Sequence, residues 1–512
     1  MIDGRNLWDL IVQRAEQTPD RRMLVDQGRR SMTFGAFRER SERVAAGLAA
    51  LGVGEGMVVS WQLPTWITSV VLVGALRRLG AVQNPILPIY RDREVGFIVQ
   101  QAAPRLLIVP SEWGGFNFQQ MAERLTEGTG TQVLVCDGEL PTGEVSSLPV
   151  EPGDDSHGGD GPVRWIFYTS GTTSDPKGAQ HTDAAIQAAA IGMEQGLRLA
   201  SDDRSALIFP FTHIGGITWM YAGLRLGFVN VLDQAFNPAT TIPVMRREDV
   251  TQAGAGTYFH QTYLAAQQDL PEGEKLFPSV RAFPGGGAPK PPALHHAIKQ
   301  RLGGAGIVAG YGLTEAPILT MGHVDDDDEA LANTEGRATP GVELKLVTID
   351  DKVAGIDEEG EVRAKGPQVT RGYLDSSLDA VAFDEEGYFR TGDLGRLDAD
   401  GNLTITGRIK DVIIRKGENI SAKEIEDLLF THDKVAEVAV VGLKDPESGE
   451  RACACVVTAG DEDITFDELV THLTDAGLNK RKLPEQLEII EALPRNPSGK
   501  IVKFELVNRF QD

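Results

Sequence analysis

Short apolar runs alternate with helix-like periods over most of the chain, and this alternation limits the possible folds more than any other feature. MVVSWQL, RLLIVP and QVLVC have the length and apolar character of buried strands, whereas FRERSERVAAGLAALGV has the period of an amphipathic helix. Strands that alternate with helices build parallel or mixed sheets covered by helices. We therefore expect an α/β fold whose large N-terminal domain contains mixed sheets flanked by helices.

The pattern changes towards the C-terminus. DKVAGIDEEGEVRAKGPQV and LGRLDADGNLTITGR show strand-like alternation with Asp-Gly turn signals, which predicts β-hairpins that close the large domain in a barrel-like part. After Lys410 the pattern becomes that of a compact α+β unit, in which EIEDLLF is helical and VAEVAVVGL and ACACVV are extended. We predict a large domain at residues 1–409 and a small domain at residues 410–512.

The charge of the chain argues against two classes of partner. The 512 residues contain 50 Lys and Arg against 74 Asp and Glu, a net charge of −24. Non-specific binding to nucleic acid or to an anionic membrane surface is therefore not expected. A polyanionic ligand would have to be recognised by a local group of cations.

The cysteines and the apolar stretches indicate a cytoplasmic protein. The three cysteines do not form a disulfide framework, since Cys453 and Cys455 would lie on one face of a strand. The N-terminus is acidic and amphipathic rather than basic and then apolar, so we do not expect a signal peptide. The apolar stretch at 69–76 ends at Arg77 and Arg78, which makes it too short to span a membrane.

One loop concentrates hydroxyl groups, glycines and a lysine. YTSGTTSDPKG, residues 168–178, follows an apolar run that ends at Phe167, so it is predicted to open at the end of a buried strand, where ligands lie in α/β sheets. Glycine-rich backbone amides, hydroxyl groups and the ammonium of Lys177 suit phosphate oxygens. The spacing is not that of a Walker A loop. Composition alone leaves a phosphate loop and a solvated surface linker about equally supported.

Two further segments favour a ligand site. GYGLTE and YFRTGD are each predicted to be glycine-bearing turns that end in a carboxylate, at Glu315 and Asp393, and a carboxylate can hold a metal ion or a ribose. GGAGIVAGYG approximates a dinucleotide-binding fingerprint, but the helix-like HHAIKQRL precedes it where a strand is required. We predict instead that IVAG is a short strand leading to GYGLTE.

Five motifs occur in a diagnostic order: YTSGTTSDPKG, GYGLTE, YFRTGDLGRLDADG, GRIKDVIIRKGENI and PRNPSGK. In this order they resemble the adenylate-forming superfamily of acyl-CoA synthetases, of the fatty-acid or carboxylate–CoA ligase type. The first motif departs from the family pattern because Ser174 stands where glycine is usual. The resemblance implies ATP, Mg²⁺ and CoA as cofactors and co-substrates, and a small-molecule carboxylic acid as substrate.

The resemblance also implies roles for individual residues. ATP would be bound by Thr169, Ser170, Gly171, Thr172, Thr173, Lys177, Gly286, Gly287, Ala288, Tyr311, Gly312, Thr314, Asp393, Arg408 and Lys500. Tyr311 would stack on adenine, whereas Asp393 and Arg408 would hold the ribose. Thr172 and Glu315 would hold Mg²⁺ through the ATP phosphates. Taken alone, Glu315 is equally well explained as the start of a helix after a threonine cap.

Catalysis is assigned by resemblance to Lys500, with Glu315 and Thr314, because Lys500 would bridge the substrate carboxylate and the α-phosphate. The acyl pocket would be formed by His213, Phe211, Gly287 and Gly310, with His213 as a pocket residue and not a base. The small domain would be mobile about a hinge near Lys410. Residues of the CoA channel and the hinge would be Lys410, Lys416, Gly417 and Glu418.

The implied reaction forms an acyl-adenylate and then an acyl-CoA thioester. Apolar residues around PFTHIGGIT predict a hydrophobic acid, whether fatty, alicyclic or a steroid side-chain acid. The alternative is an adenylation enzyme that passes the acyl group to a carrier protein or another acceptor. Amino-acid activation is disfavoured because no aspartate follows Phe211 to pair with an α-ammonium. Whether the chain forms a homodimer is left open.

Overall fold

The fold is taken from a computed structural model that describes residues 1–153, 161–169, 175–288, 290–416, 418–460, 462–495 and 500–511. A large N-terminal domain carries mixed sheets with helices packed on them, and a small C-terminal domain has its own sheet and cores. The expected α/β class is therefore confirmed. The boundary between residues 409 and 410 stays a prediction.

The elements of the large domain alternate as the sequence predicts. Its helices are α1 (Leu7–Gln17), α2 (Phe34–Ala50), α3 (Ile67–Arg78), α4 (Asp92–Ala102), α5 (Phe118–Thr126), α6 (Asp183–Gly196), α7 (Ile214–Leu226), α8 (Pro238–Arg247), α9 (Thr257–Gln268), α10 (Pro292–Arg301), α11 (Asp328–Asn333) and α12 (Asp379–Ala382). Its strands are β1 (Arg22–Asp26), β2 (Ser31–Thr33), β3 (Val58–Trp61), β4 (Val82–Pro85), β5 (Leu106–Val109), β6 (Glu112–Trp113), β7 (Phe116–Asn117), β8 (Gln132–Val135), β9 (Trp165–Tyr168), β10 (Gly178–His181), β11 (Arg204–Leu207), β12 (Val229–Leu232), β13 (Phe283–Gly286), β14 (Ile307–Leu313), β15 (Ala316–Met321), β16 (Arg337–Ala338), β17 (Glu343–Val347), β18 (Gly360–Lys365), β19 (Phe389–Leu397) and β20 (Leu403–Arg408).

A six-stranded sheet places the phosphate-loop motif. Its order is β10-β9-β4-β3-β5-β8, parallel except for the antiparallel β9–β10 pair. Strand β5 is buried along its whole length, as expected for a strand covered by helices on both faces. The segment between β9 and β10 is the YTSGTTSDPKG motif, so the motif does begin where a buried strand ends.

Two four-stranded sheets complete the α/β part. One has the order β11-β12-β1-β2 and the other β13-β14-β15-β16. β13 and β14 run parallel, with Gly286 opposite Gly310, so the two glycine-rich motifs end side by side. The helix at α10 and the strand at β14 confirm the prediction for HHAIKQRL and IVAG, which excludes the dinucleotide fingerprint.

The hairpins predicted at the end of the large domain are present as an antiparallel sheet with the order β17-β18-β19-β20. Among the described residues this sheet does not close into a barrel, so the barrel-like form expected for it is not found. It packs on β14 through an apolar cluster that includes Tyr311 and Val362. YFRTGD also differs from the expected turn, because most of it lies within β19.

The small domain contains α13 (Ala422–Leu429), α14 (Phe466–Asp475), α15 (Lys503–Phe510), β21 (Ile413–Arg415), β22 (Glu418–Ile420), β23 (Val435–Asp445), β24 (Gly449–Thr458) and β25 (Gln486–Ile489). Strands β22-β21-β24-β23 form its sheet, and β25 pairs with β24. α13 and α14 pack on one face of the sheet. α15 packs on the other face, which carries the side chains of Cys453 and Cys455. A short 3₁₀ helix, Ile409–Asp411, connects the two domains.

A buried carboxylate ties the helices of the large domain together. Asp183, at the start of α6, pairs with Arg77 of α3 at 2.5 Å and accepts hydrogen bonds from Trp165 Nε1 and the Tyr221 hydroxyl. Burial alone would raise the pKa of Asp183, but the Arg77 charge and these hydrogen bonds lower it below its usual value.

The helices that the structure describes include none with the length and apolar character to cross a membrane.

Candidate active site

Lys177, near the end of the loop between β9 and β10, lies beside the site, and the centre of the loop lies outside the described residues. The predicted ATP ligands Ser170, Gly171, Thr172 and Thr173 belong to that centre, and so does the departure at Ser174. The ends of the loop are described, and Thr169 N donates to Lys177 O at 3.0 Å. This bond continues the β9–β10 pairing and brings Lys177 back beside the strand end.

The turn between β14 and β15 carries Thr314 and Glu315. Glu315 is buried and does not start a helix, so its explanation as a helix-starting residue is wrong. Glu315 Oε1 accepts a hydrogen bond of 2.7 Å from the hydroxyl of Tyr373. The carbonyl of Thr314 is 2.9 Å from Nε2 of His181, whose pKa burial lowers to about 4. The neutral imidazole donates to that carbonyl and fixes the turn.

The paired strands β19 and β20 place Asp393 and Arg408 directly opposite each other. Arg408 Nε is 2.8 Å from Asp393 Oδ1, and the Tyr311 hydroxyl donates to Asp393 Oδ2 at 2.7 Å. Both carboxylate oxygens therefore already have a donor. Burial first, and then the charge of Asp393, raises the pKa of Tyr311, so this hydroxyl stays protonated and donates.

Lys500 lies in the same cleft, although it belongs to the small domain. A Cβ built on Gly287 would be 3.3 Å from Lys500 Cε, so the lysine stem occupies the space that the missing side chain leaves. The pKa of Lys500 is lowered to about 8, first by burial and then by the cations Arg408 and Lys410, whose effect Asp393 and Glu315 oppose. The ammonium thus lies within the electrostatic reach of the two site carboxylates.

Four cations converge on this cleft in a chain of strongly negative net charge. Besides Arg408 and Lys500, Lys410 is close enough to Arg408 and Lys177 for both to lower its pKa, after the larger effect of burial. Like charges held together in a partly buried space are unfavourable unless an anion joins them. The cleft is therefore complementary to a polyanion, as the net charge of −24 led us to expect.

The glycine motifs serve packing as well as ligand access. Gly286 has φ +158°, and a Cβ there would meet Gly310 O at 2.9 Å, so close approach of β13 to β14 requires glycine. Side chains on Gly310 and Gly312 would collide with β15, at 2.6 Å from Met321 Sδ and at 2.4 Å from Ile318 N respectively. Ala288 follows Gly287 and is half-buried. Only Gly287 thus borders the cleft through its missing side chain.

His213 and Phe211 take different positions. His213 caps α7, and its Nδ1 accepts a hydrogen bond from Gly215 N at 3.1 Å, which leaves the proton on Nε2. Burial, and then the charge of Lys500, lowers the pKa of His213 to about 4, so it is neutral and lies near the lysine. Phe211 is 1 % exposed and packs against Trp61 in the main core rather than in an open pocket.

Of the predicted CoA-channel and hinge residues, Lys410 borders the cleft, whereas Lys416 and Glu418 make contacts within the small domain. Lys416 and Glu418 belong to the β21–β22 hairpin, with Gly417 outside the described residues. Lys416 N donates to Ser448 O, and Glu418 pairs with Arg481 at 2.5 Å, both within the small domain. In this domain arrangement, the small domain therefore places Lys500 in the cleft. The β21–β22 hairpin instead contacts other residues of the small domain.

The residues present fit a Mg²⁺ ion that is shared with phosphate. Glu315 offers a hard oxygen, and its Oε2 makes no hydrogen bond within the described part of the chain. That part of the chain holds no cluster of three or more His, Cys, Asp or Glu side chains able to bind a metal ion alone. The single carboxylate of Glu315 thus suits a cation that takes its remaining ligands from phosphate and water.

Two contacts in the site were not predicted. Tyr373 donates to Glu315 across 58 positions in the chain, a pairing that no local pattern signals. His181 ends β10 immediately after the phosphate-loop motif, and a polar residue at that point of a buried strand was a usable signal.

Comparison with known proteins identifies the family. The sequence profile of the AMP-binding enzyme family matches residues 11–374, and that of the AMP-binding enzyme C-terminal domain matches residues 424–500. The chain belongs to this adenylate-forming family. As a member of the family it is an adenylate-forming carboxylate ligase, with the family's acyl-CoA ligases among its relatives.

Relatives within the family act on different acids. The medium-chain fatty-acid–CoA ligase of Escherichia coli is 30% identical over 98% of this chain and 90% of its own length. The salicyl-AMP ligase/salicyl-S-ArCP synthetase of Mycobacterium tuberculosis is 30% identical over 99% of this chain and 91% of its own. The ATP-bound crystal structure of MatB from Rhodopseudomonas palustris has a TM-score of 0.87 at 25% identity and covers 100% of this chain and 99% of that one.

Proposed function

We propose that this family member is an ATP-dependent, AMP-forming carboxylate–CoA ligase that activates a hydrophobic carboxylic acid. The observation that carries the proposal is the position of Lys500, an amine of the small domain seated against Gly287 and within reach of Asp393 and Glu315. Support for CoA and for an apolar acid comes from the fatty-acid–CoA ligase among the relatives.

In the first half-reaction a carboxylate oxygen attacks the α-phosphorus of ATP. The bond from that phosphorus to the bridging oxygen of pyrophosphate breaks, and an acyl-adenylate remains. No enzyme nucleophile is needed, so the residues contribute position and charge. Lys500 faces the negative charge that develops on the α-phosphate, and its pKa of about 8 keeps it mostly protonated at neutral pH. Mg²⁺ supplies charge neutralisation on the phosphate oxygens when bound.

Asp393, which is paired with Arg408, would position the ribose, and the neutral His213 would position the acid. Asp393 is held between Tyr311 and Arg408, so its oxygens are oriented before a ribose hydroxyl arrives. His213 keeps a proton on Nε2, which makes it a hydrogen-bond donor and not a base near the carboxylate. Its ring lies 6.5 Å from that of Phe209, so the space beside it is partly apolar.

In the second half-reaction the CoA thiol loses its proton to solvent and the sulfur attacks the acyl carbonyl; the bond from the acyl carbon to the phosphate oxygen breaks, and AMP leaves. Lys500 occupies the cleft in the present arrangement. We infer that the small domain turns about a hinge near Lys410 between the half-reactions, so that the Lys416–Glu418 hairpin replaces Lys500.

The deciding experiment measures AMP and pyrophosphate release with a panel of fatty, alicyclic and steroid side-chain acids, with and without CoA. We expect pyrophosphate release to depend on the acid, and sustained AMP release to depend on both the acid and CoA. AMP release that is indifferent to CoA for every acid in the panel would contradict the thioester step.

A carrier-protein acceptor is the second candidate, and the salicyl-AMP ligase/salicyl-S-ArCP synthetase among the relatives favours it. This enzyme would form the same acyl-adenylate and pass the acyl group to a carrier thiol. Acid-dependent pyrophosphate release without CoA-dependent turnover would select this candidate.

A further inference from the structure

Tyr373 connects two groups of the site that lie far apart in the chain. Its hydroxyl donates to Glu315 Oε1 at 2.7 Å, and Lys177 Nζ lies 5.4 Å from the centre of its ring. Glu315 belongs to the turn after β14, and Lys177 is the next-to-last residue of the YTSGTTSDPKG motif. One side chain therefore touches both the carboxylate suited to a metal ion and the loop cation.

The side chain is held rigidly from its own backbone. Tyr373 N donates to Asp379 Oδ1 at 2.9 Å, its carbonyl accepts from Gln180 Nε2 at 3.0 Å, and the residue bridges to Ala179 of β10. The side chain is 4 % exposed, so few other rotamers are accessible to it. The ring and hydroxyl thus form a fixed support between β10 and the β14–β15 turn.

The hydroxyl is the donor in its contact with Glu315, because a carboxylate oxygen accepts and Oε1 lies 2.7 Å away. The bond occupies one carboxylate oxygen of Glu315 and fixes the carboxylate plane. The other oxygen is directed by that constraint, as in metal sites where an outer partner orients the ligand.

We propose that Tyr373 is a positioning residue for the nucleotide–metal complex: it orients the Glu315 carboxylate through its hydroxyl and supports the Lys177 ammonium through its ring. The two functions are separable, because the hydroxyl and the ring act on different partners. This inference rests on the proposed function, since it takes the bound anion to be ATP with a divalent cation.

The chain offers a matched control at Tyr388. Its hydroxyl donates to Glu343 at 3.0 Å, and Lys345 Nζ lies 4.2 Å from its ring centre, so the same three residue types recur in the same relation. Tyr388 is the first residue of the YFRTGD motif, but its partners Glu343 and Lys345 lie on β17, and none of the three is a predicted ATP, metal, acyl or CoA ligand. Tyr388→Phe therefore removes a tyrosine–glutamate hydrogen bond of the same type, in a more exposed position.

The test uses the full chain with the α,β-methylene analogue of ATP, whose α–β link is not cleaved. Mn²⁺ is titrated into the enzyme–analogue complex and followed by electron paramagnetic resonance. We expect Tyr373→Phe to weaken Mn²⁺ binding by about 10–100-fold, the range typical of lost outer partners of metal ligands, without a change in Tm of more than a few degrees. Tyr388→Phe should leave Mn²⁺ binding unchanged.

The ring is tested by Tyr373→Leu, which also removes the support under Lys177. Relative to Tyr373→Phe, it should weaken binding of the metal-free analogue by about threefold or more, the scale of a partly desolvated cation–π contact. If Tyr373→Leu does not fold, the comparison of Tyr373→Phe with Tyr388→Phe still decides the function of the hydroxyl.

The outcomes separate this inference from the proposed function. The positioning role alone would be overturned if two results are found together. The Mn²⁺ affinity of Tyr373→Phe would be within twofold of that of the unsubstituted chain, and the unsubstituted chain would show acid-dependent pyrophosphate release. Absence of acid-dependent pyrophosphate release from the unsubstituted chain would overturn the proposed function itself.

Discussion

At the residue scale, the site depends on where a few charges are held. Lys500 is a buried cation beside the cations Arg408 and Lys410, and the carboxylates of Asp393 and Glu315 oppose their effect on its pKa. Its proton is therefore bound less tightly than that of an ordinary lysine. ATP phosphates would reverse this balance by supplying the missing negative charge.

The lowered pKa of Lys500 predicts a pH dependence. The charged ammonium is the active form, so kcat/KM for acid-dependent pyrophosphate release should fall as pH rises through about 8. Lys500→Arg keeps its charge over this range and should lose the descending limb, even at a lower rate. Lys500→Ala should abolish pyrophosphate release but spare thioester formation from supplied acyl-adenylate. A descending limb that persists in Lys500→Arg would assign the titration to another group.

Gly287 gives a second prediction at this scale. Its φ is +73°, and a Cβ would lie 3.3 Å from Lys500 Cε, so Gly287→Ala should displace the lysine and lower the adenylation rate by tenfold or more. Gly273→Ala is the matched control, because Gly273 has φ +86° and nothing within 4 Å of its Cβ position. Both variants carry the same backbone strain. Equal adenylation rates in the two would show that the space beside Lys500 is not critical.

At the element scale, the structure explains why strands and helices were easier to predict than the contacts between them. The β9 strand, the α10 helix and the β14 strand follow from runs and periods of neighbouring residues. GYGL and FRTGD were expected as turns because of their glycines, yet both lie in strands. In GYGL the glycines allow β15 to approach closely, whereas Gly392 of FRTGD takes a φ of +71° with nothing within 4 Å of its Cβ position. Local sequence reveals neither arrangement.

The buried Asp183–Arg77 pair predicts a large effect on stability. Asp183→Asn leaves the Arg77 charge buried without its counter-ion, which costs about 3–5 kcal/mol when a buried pair is broken. Denaturant unfolding followed by circular dichroism measures the loss. Asp92→Asn, at the half-exposed pair with Arg124, should change stability by less than about 1 kcal/mol. Similar losses of unfolding free energy in the two variants would mean that burial does not determine how much the Asp183–Arg77 pair stabilises the fold.

At the scale of the whole molecule, two bodies meet at the nucleotide cleft. The motif order identified the family and the candidate residues, and the charge of −24 predicted a local cation cluster. The Tyr373–Glu315 bond and the Arg495–Tyr258 contact could not be predicted, because they join residues that only the fold brings together. Phe430 of the small domain also packs on a large-domain core, which no sequence pattern indicated.

The connector between the domains gives the last prediction. Arg408 is extended, with φ −124° and ψ 141°, so proline at position 409 is compatible with the present arrangement. Ile409→Pro should restrict the rotation, slowing thioester formation about tenfold while sparing pyrophosphate release. Ile409→Pro tests the hinge without removing a charge, whereas a substitution of Lys410 would also remove a cation of the cleft. Ile409→Ala removes the side chain without the restriction and should retain both steps; equal rates in the two variants would argue against a hinge here.

The guanidinium of Arg495 lies 5.2 Å from the ring centre of Tyr258 in the large domain, and it also pairs with Glu437 of the small domain at 3.0 Å. Because Arg495 bridges to Ile501, next to Lys500, the contact reports whether the amine proposed to be catalytic lies in the cleft. If the small domain turns between the half-reactions as proposed, the fluorescence emission of a Tyr258→Trp variant should change during turnover.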